Sequence, residues 1–124
     1  MTNKTILIVE DEPDLLDIIQ ELLIMGGFTV LCATSAATAM KIWEEKSAEI
    51  DLVLTDITLP DGTTGVALGE KLRVANRFLR IIYTSGHCAD TVAMRYSMPA
   101  GASFLQKPFH PKVLVDTVQQ CLNS

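Results

Sequence analysis

The stretch ILIVEDEP, residues 6–13, joins a short apolar run to three consecutive acids and a proline. Uninterrupted aliphatic residues are typical of a parallel strand that is buried on both faces. A proline suits the first turn of a helix, because the N–H group that it lacks has no partner there. The stretch therefore predicts a strand that ends at a group of carboxylates, with a helix beginning at Pro13.

Similar apolar runs recur along the chain and alternate with segments of helical periodicity. The predicted strands are residues 5–9, 28–32, 52–55, 80–84 and 103–106. The helices are predicted to begin at Pro13, after a cap at Thr34 or Ser35, near residue 65, near residue 89 and at Pro111. We expect the third helix to end near residue 75 and the fourth near residue 97.

This alternation predicts five βα units, whose right-handed crossovers place helices on both faces of a parallel sheet. For a chain of 124 residues, we predict the flavodoxin-like doubly wound (βα)5 fold with strand order 2-1-3-4-5. The length corresponds to a single domain, which we expect to span residues 1–124.

Charged side chains follow strands one, three and five, at the edge where ligands bind in such sheets. In the predicted order, Glu10 and Asp11 after strand one become neighbours of Asp56 after strand three, and Lys107 follows strand five. Carboxylates held close together resist ionising together, so the group requires a positive counter-charge. Because hard oxygen ligands suit Mg²⁺ or Mn²⁺, the sequence predicts a divalent cation at this edge.

Asp56 is the candidate for chemistry, because Mg²⁺ typically takes only one or two protein carboxylates and leaves an oxygen free. A carboxylate can attack a phosphoryl group to form an acyl phosphate, while a metal neutralises charge on the transferred oxygens. Lys107 would add a second positive contact. Thr84 and Ser85 are both candidates for a hydroxyl that contacts this group, and Gly86 leaves room beside it.

Each of these residues also has a simpler interpretation. The helix dipole alone favours acids after strand one, Asp56 could cap a turn, and Lys107 could be a solvated surface amine. Independent surface charges, however, have no reason to follow strands one, three and five together. Their joint placement favours a shared site.

The composition argues against several classes of protein. A formal net charge of −5 argues against non-specific binding to nucleic-acid phosphates. No apolar run approaches the roughly 20 residues that cross a bilayer, and the amino terminus has no apolar signal region. Cys32, Cys88 and Cys121 form no CxxC motif, and we expect them to be small buried fillers in a reducing compartment. We therefore expect a cytoplasmic protein without membrane insertion or direct nucleic-acid contact.

Three segments together resemble the receiver domains of two-component response regulators. They are residues 6–13, residues 51–62 (DLVLTDITLPDG) and Lys107-Pro108-Phe109. The resemblance covers the whole chain and implies the 2-1-3-4-5 fold and a cis Lys107–Pro108 bond. It also implies that Asp56 accepts a phosphoryl group from a sensor histidine kinase or a histidine phosphotransfer protein.

The resemblance assigns further roles around Asp56. Asp11 and Asp56 would bind Mg²⁺ directly, together with the backbone carbonyl of Thr58, while Glu10 would act mainly through a metal-bound water. The Thr58 side chain would admit or block attacking water and so tune the lifetime of the acyl phosphate. Such a protein is a signalling phosphoacceptor rather than an enzyme, since it catalyses only its own phosphorylation and dephosphorylation.

The resemblance also implies a switch. In receiver domains, a Ser or Thr on strand four follows the phosphoryl group, and an aromatic residue on strand five moves with it. Phe104 occupies the aromatic position; for the hydroxyl, the spacing to Lys107 favours Ser85, and Thr84 remains the alternative. The Ser85-Gly86 pair resembles receivers of hybrid sensor kinases. The face of helix four, strand five and helix five would then change to bind a downstream protein.

Three other functions fit parts of the sequence. A flavodoxin-like cofactor binder requires a phosphate-cradling loop after strand one, where this chain has acids. An aspartyl phosphatase usually carries a second acid two residues after its nucleophile, where this chain has Thr58. A receiver fold that binds partners without phosphorylation remains an alternative, and partner binding that does not depend on phosphate would identify it.

Two groups of residues have no firm role in this interpretation. His87 and His110 lack metal-ligand spacing and are expected to be exposed polar residues. Met94, Tyr96 and Met98 either pack the fourth helix or form part of a docking surface, and packing is favoured.

Overall fold

The apolar runs form a five-stranded parallel sheet in the computed structural model, which describes residues 3–96 and 102–123. The strands are β1 (Thr5–Val9), β2 (Thr29–Ala33), β3 (Leu52–Asp56), β4 (Arg80–Ser85) and β5 (Ser103–Gln106). The helices are α1 (Pro13–Met25), α2 (Ala36–Lys46), α3 (Gly65–Ala75), α4 (Ala89–Arg95) and α5 (Pro111–Leu122). The strand order is β2-β1-β3-β4-β5, so the predicted flavodoxin-like fold is confirmed.

The boundaries of four predicted elements differ from the structure for local reasons. β2 is shifted by one residue at both ends, because Phe28 lies before the strand and packs into the core with α1, while Ala33 still pairs with Val9. β3 and β4 extend one residue further, because Asp56 and Ser85 still pair with a neighbouring strand. α4 ends at Arg95, earlier than predicted, because Tyr96 adopts an extended backbone conformation.

Within the described ranges, none of the helices combines the length and apolar character needed to cross a membrane.

Hydrophobic side chains fill both faces of the sheet. Alternate residues of β1 point to opposite faces, so Ile6 and Ile8 pack with α1 and α5 while Leu7 and Val9 pack on the face covered by α2, α3 and α4. These four side chains are at most 1% exposed. Burying each large aliphatic side chain contributes about 1.5–3 kcal/mol to the stability of the folded chain. The strand that carries the first acids of the site is therefore held firmly in the sheet.

Two glycines allow α3 to lie very close to the sheet. A Cβ atom on Gly65 would overlap with the backbone oxygen of Asp56, and one on Gly69 would overlap with the hydroxyl oxygen of Tyr83. The N–H of Gly65 also donates to the carbonyl of Ile57 over 2.8 Å. The close approach therefore joins the start of α3 directly to the end of β3.

Side-chain caps anchor the loop between β3 and α3. Thr64 Oγ1 accepts a hydrogen bond from the N–H of Ala67 over 3.1 Å at the start of α3. Asp61 Oδ2 accepts one from the N–H of Ala37 over 3.0 Å, in the first turn of α2. Ser35, one of the two predicted caps, is the N-cap of α2. Asp61 thus ties this loop to α2.

The prediction for the cysteines is wrong for one of the three. Cys32 and Cys121 are partly buried against the core beside α1 and α5. Cys88, in contrast, is exposed at the N-cap position of α4, where its Sγ atom lies 3.2 Å from Thr91 Oγ1. This hydrogen bond lowers the pKa of the Cys88 thiol, whereas burial raises the pKa of Cys32.

The prediction that helix four packs through its methionines and tyrosine is partly wrong. Met94 is 88% exposed, because Val92, two positions earlier on α4, is the residue that faces the sheet. Tyr96 does pack against the core. Met98 lies outside the described residues.

Candidate functional site

The carboxyl-terminal edge of the sheet brings three charged side chains into direct contact. Lys107 Nζ donates to Oε1 of Glu10 and to Oδ2 of Asp56, each over 2.7 Å. The carboxylate side chains are only 2% and 9% exposed, and the Lys107 side chain is 17% exposed. Hydrogen bonds between opposite charges are strong where little water screens them. The amine therefore bridges the acids that follow β1 and end β3.

Backbone N–H groups orient both carboxylates. Asp56 Oδ1 accepts a hydrogen bond from the N–H of Thr58 over 3.0 Å. Glu10 Oε2 accepts one from the N–H of Glu12 over 3.1 Å. Each carboxylate is thus held by one backbone donor and one amine contact, which fixes the directions in which its remaining lone pairs point.

The backbone also positions Lys107. Its N–H donates to the carbonyl of Ser85, at the end of β4, over 2.7 Å. The following Lys107–Pro108 bond is cis, as expected from the resemblance. The lysine is therefore held against β4 while its side chain reaches across to β1 and β3.

Three acids at this edge have oxygen atoms close enough to share one cation. Glu10, Asp11 and Asp56 each offer an oxygen, and these oxygens all lie within 4.8 Å of one another. Asp11 is exposed, whereas Glu10 and Asp56 are buried. Carboxylate oxygens are hard ligands, and Mg²⁺ prefers a site that also leaves room for water and phosphate oxygens. The donor set therefore fits Mg²⁺ or Mn²⁺.

The burial of the site affects the pKa of two groups in opposite ways. Burial raises the pKa of Glu10, although the hydrogen bond from Lys107 opposes this effect. Burial alone would lower the pKa of Lys107, but its hydrogen bonds to Asp56 and Glu10 outweigh it, and the pKa is raised. The amine therefore stays protonated at neutral pH and remains a positive contact.

A cavity of about 400 Å³ opens to solvent beside Asp56. Its lining residues are Asp11, Glu12, Asp56, Thr58, Ser85, Gly86, His87 and Lys107. Both candidate residues are buried, with Thr84 2% and Ser85 3% exposed, but only Ser85 is among the residues that line the cavity. A Cβ atom on Gly86 would meet no other atom within 4 Å, so the space beside Ser85 is open.

The loop after β4 engages the hydroxyl of Ser85. Ser85 Oγ accepts a hydrogen bond from the N–H of His87 over 3.0 Å. Both histidines are exposed, as predicted; His87 borders the cavity, and His110 caps α5.

Phe104 and Thr58 occupy different surroundings. Phe104 lies beside Tyr83 in the β4–β5 ladder and is partly buried against the core covered by α2, α3 and α4. Thr58 is exposed at the cavity, two residues after Asp56. The aromatic side chain therefore packs against the edge of the core, whereas the threonine side chain can contact solvent beside the acids.

Sequence reasoning missed the contribution of Gly65. This glycine lets α3 press against the backbone of Asp56, and the N–H group of Gly65 holds the turn that follows β3. A glycine at the first position of a helix is a weak signal, because it carries no side chain that reports a contact. The sequence correctly predicted that a helix begins near Gly65, but it did not indicate that this glycine contacts the backbone of Asp56.

The family comparison identifies the class of protein. Residues 6–119 match the family model of the response regulator receiver domain. The chain therefore belongs to the response regulator receiver domain family, the phosphoacceptors of two-component signalling. Proteins of this family bind Mg²⁺ at an acidic pocket and interact with histidine kinases or phosphotransfer proteins.

Individual relatives agree with this assignment. The chain is 35% identical to sensor kinase CckA of Brucella abortus over 97% of its own length but only 13% of the kinase. It is 29% identical to the response regulator receiver protein CpdR of the same organism, over 96% of this chain and 97% of CpdR. A receiver protein structure from Sinorhizobium medicae matches with a TM-score of 0.87 and 32% identity, covering 98% of this chain and 95% of that one.

Proposed function

We propose that this chain, as a single receiver domain spanning residues 1–124, accepts a phosphoryl group on Asp56. The observation that carries the proposal is the pairing of Lys107 with both Asp56 and Glu10 beside an open cavity. A carboxylate oxygen of Asp56 attacks the phosphorus of a phosphohistidine, a P–O bond forms, and the P–N bond to the imidazole breaks. The product is an aspartyl phosphate at the carboxyl end of β3.

Glu10, Asp11, Asp56 and the carbonyl of Thr58 would hold a Mg²⁺ or Mn²⁺ ion at this edge. The ion would neutralise charge on the transferred phosphoryl oxygens. Glu10 would act mainly through a bound water. The mutual proximity of the three carboxylates and their hard oxygen chemistry support this assignment.

Lys107 would contact an oxygen of the transferred phosphoryl group. Because its amine is protonated and already hydrogen-bonded to Asp56, little rearrangement is required. Ser85 would supply a hydroxyl to the same group, and its position at the cavity supports it over Thr84. The exposed Thr58 side chain would control the access of water, and with it the rate at which the domain removes its own phosphoryl group.

The output would follow from movement of Ser85 and Phe104. Ser85 would exchange its bond with the His87 N–H for one to the phosphoryl group, and Phe104 would follow into the space beside it. Because Phe104 belongs to β5, the face formed by α4, β5 and α5 would change and bind a downstream protein. This is a local charge event that biases a two-state element.

The phosphodonor would be a sensor histidine kinase or a histidine phosphotransfer protein that docks beside α1. A groove of about 520 Å³ borders Lys107 there, with an apolar wall that includes Leu15, Ile18, Leu22 and Phe109. Ile18 is 52% exposed, which suits an apolar contact with a partner helix. The three free cysteines fit the reducing cytoplasm, which we propose as the compartment.

Intact-mass measurement after incubation with acetyl phosphate and Mg²⁺ tests the proposal. We expect the mass of one phosphoryl group to be added to the wild type, and none to Asp56→Asn. Asp116→Asn is the matched control, because Asp116 is an exposed acid on α5, and it should be phosphorylated like the wild type. Chelation of Mg²⁺ should abolish the gain. Undiminished labelling of Asp56→Asn would refute the assignment.

A further inference from the structure

Three arginines line a pocket at the amino-terminal edge of the sheet, opposite the acidic site. The pocket measures about 380 Å³, and its lining includes Arg73, Arg77, Phe78, Arg80 and Ser103. We call it the arginine pocket. Because β4 begins at Arg80 and ends at Ser85, it lies one strand length, about 17 Å, from the cavity beside Asp56. Three of the ten basic residues of an acidic chain thus meet in one place.

Two of these arginines are held in position without being neutralised. The Nε–H of Arg73 donates to the carbonyl of Leu79 over 3.2 Å, and the Arg77 guanidinium lies 5.2 Å from the centroid of the Phe78 ring. Among the described residues, neither arginine forms a salt bridge, and no acid lines the pocket. Positioned guanidinium groups of this kind bind carboxylates through two parallel hydrogen bonds.

Exposed apolar side chains flank the arginines. Phe78 is 79% exposed and Val74, beside Arg73 on α3, is 89% exposed. Arginines next to aromatic residues are enriched at the centres of protein interfaces. A small inorganic anion would pair with the arginines but leave this apolar surface in water, whereas a peptide can cover both.

We propose that the arginine pocket binds an acidic segment of a partner protein. Carboxylates of the segment pair with Arg73 and Arg77, and one of its apolar side chains packs on Phe78. Because the pocket lies at the opposite edge of the sheet from Asp56, the partner stays bound whether or not that residue is phosphorylated. The site therefore holds a partner in place independently of the proposed phosphoryl transfer.

Fluorescence anisotropy with a labelled Glu-Glu-Leu-Glu-Glu peptide and the full chain tests the proposal. We expect saturable binding that weakens at higher salt. Arg77→Glu should weaken it about tenfold or more, because a like charge then faces the peptide. The matched control is Arg95→Glu, since Arg95 is an exposed arginine on α4 outside the pocket, and it should change affinity less than about twofold. Phe78→Ala should weaken binding about threefold through lost apolar contact.

Binding by Asp56→Asn should equal that of the wild type, which separates this proposal from the proposed phosphoryl transfer. Circular dichroism should show intact folding of both arginine variants; if Arg77→Glu fails to fold, Phe78→Ala still decides the question. Four results would overturn the proposal: no binding in the millimolar range, equal losses in Arg77→Glu and Arg95→Glu, preferential displacement of the peptide by pyrophosphate at matched ionic strength, or self-association of the chain through this pocket.

Discussion

Lys107 and Tyr83 are both largely buried polar side chains, but their surroundings differ. The Lys107 amine contacts two carboxylates at 2.7 Å. The Tyr83 hydroxyl, fully buried between β4 and α3, has no hydrogen-bond partner among the described residues. A buried polar group costs free energy unless it is paired. Among the described residues, the buried charged groups at the edge of the proposed chemistry are paired, whereas the Tyr83 hydroxyl in the core is not.

The largest effect on stability is expected when the amine of Lys107, which pairs with both buried carboxylates, is removed. Lys107→Met leaves two buried carboxylates facing each other, and we expect the free energy of unfolding to fall by about 3 kcal/mol. Urea denaturation measures it. Mg²⁺ should recover part of the loss, because a ligand that binds only the folded state stabilises it.

Lys112→Met is the control for this change, because Lys112 is exposed on α5. It should alter stability by no more than about 0.5 kcal/mol. Equal effects of the two substitutions would mean that Lys107 is an ordinary surface amine despite its contacts.

The second prediction concerns the two glycines of α3. Ala at Gly69 should cost about 2 kcal/mol through overpacking against Tyr83, partly offset by a better helix propensity. In the Tyr83→Phe background much of this cost should disappear, because the overlapping hydroxyl is gone. Gly65→Ala should have the same cost with Tyr83 as with Phe at position 83, because its added methyl group overlaps with the backbone oxygen of Asp56 and not with the tyrosine hydroxyl.

A double-mutant cycle in urea measures this coupling. Equal costs of Gly69→Ala with and without the Tyr83 hydroxyl would show that α3 moves as a whole to admit the methyl group. The close contact would then not specify glycine.

The third prediction has the opposite sign to the first. Tyr83→Phe keeps the ring and removes a buried hydroxyl that has no partner in the described part of the chain, so we expect the free energy of unfolding to rise by about 1 kcal/mol. Tyr96→Phe is the control, since Tyr96 is only partly buried, and it should be nearly neutral. Destabilisation by Tyr83→Phe would show that the hydroxyl has a partner after all.

The smallest expected effect is a pH dependence at the same residue. Burial raises the pKa of Tyr83 above its ordinary value of 10.0, so near that pH the unfolded chain loses a proton that the folded chain keeps. The stability of the wild type is therefore unaffected by this ionisation well below pH 10, and it falls as the pH rises through that value, because ionisation stabilises the unfolded chain. The advantage of Tyr83→Phe should therefore grow by a fraction of a kcal/mol as the pH rises towards the ordinary tyrosine pKa. An advantage that shrinks with pH would contradict the sign.

Much of the fold and of the site is predictable from the strands. Parallel strands place their carboxyl ends at one edge, so the acids after residues 6–9, the acid at 56 and the lysine at 107 had to meet once the strand order was right. The aliphatic run of β1 predicted a strand buried on both faces, and its side chains are at most 1% exposed from Ile6 to Val9.

Details that depend on rotation and close approach were not predictable. Adjacent residues of a strand point to opposite faces, and the strand pattern alone did not indicate whether Thr84 or Ser85 lines the cavity; only the spacing to Lys107 favoured Ser85. The exposure of Met94 depended on the rotation of a short helix with weak periodicity. The hydrogen bond between Asp61 and the N–H of Ala37 joins the loop after β3 to the first turn of α2, and only the folded chain brings these two segments together.

The most direct test of the central claim is to locate the phosphoryl group within the chain. After incubation with acetyl phosphate and Mg²⁺, borohydride reduction converts an aspartyl phosphate to homoserine, which peptide mass spectrometry can place by residue. We predict homoserine at position 56 alone. A reduced side chain at another aspartate or at a glutamate, with unmodified aspartate at position 56, would contradict the account.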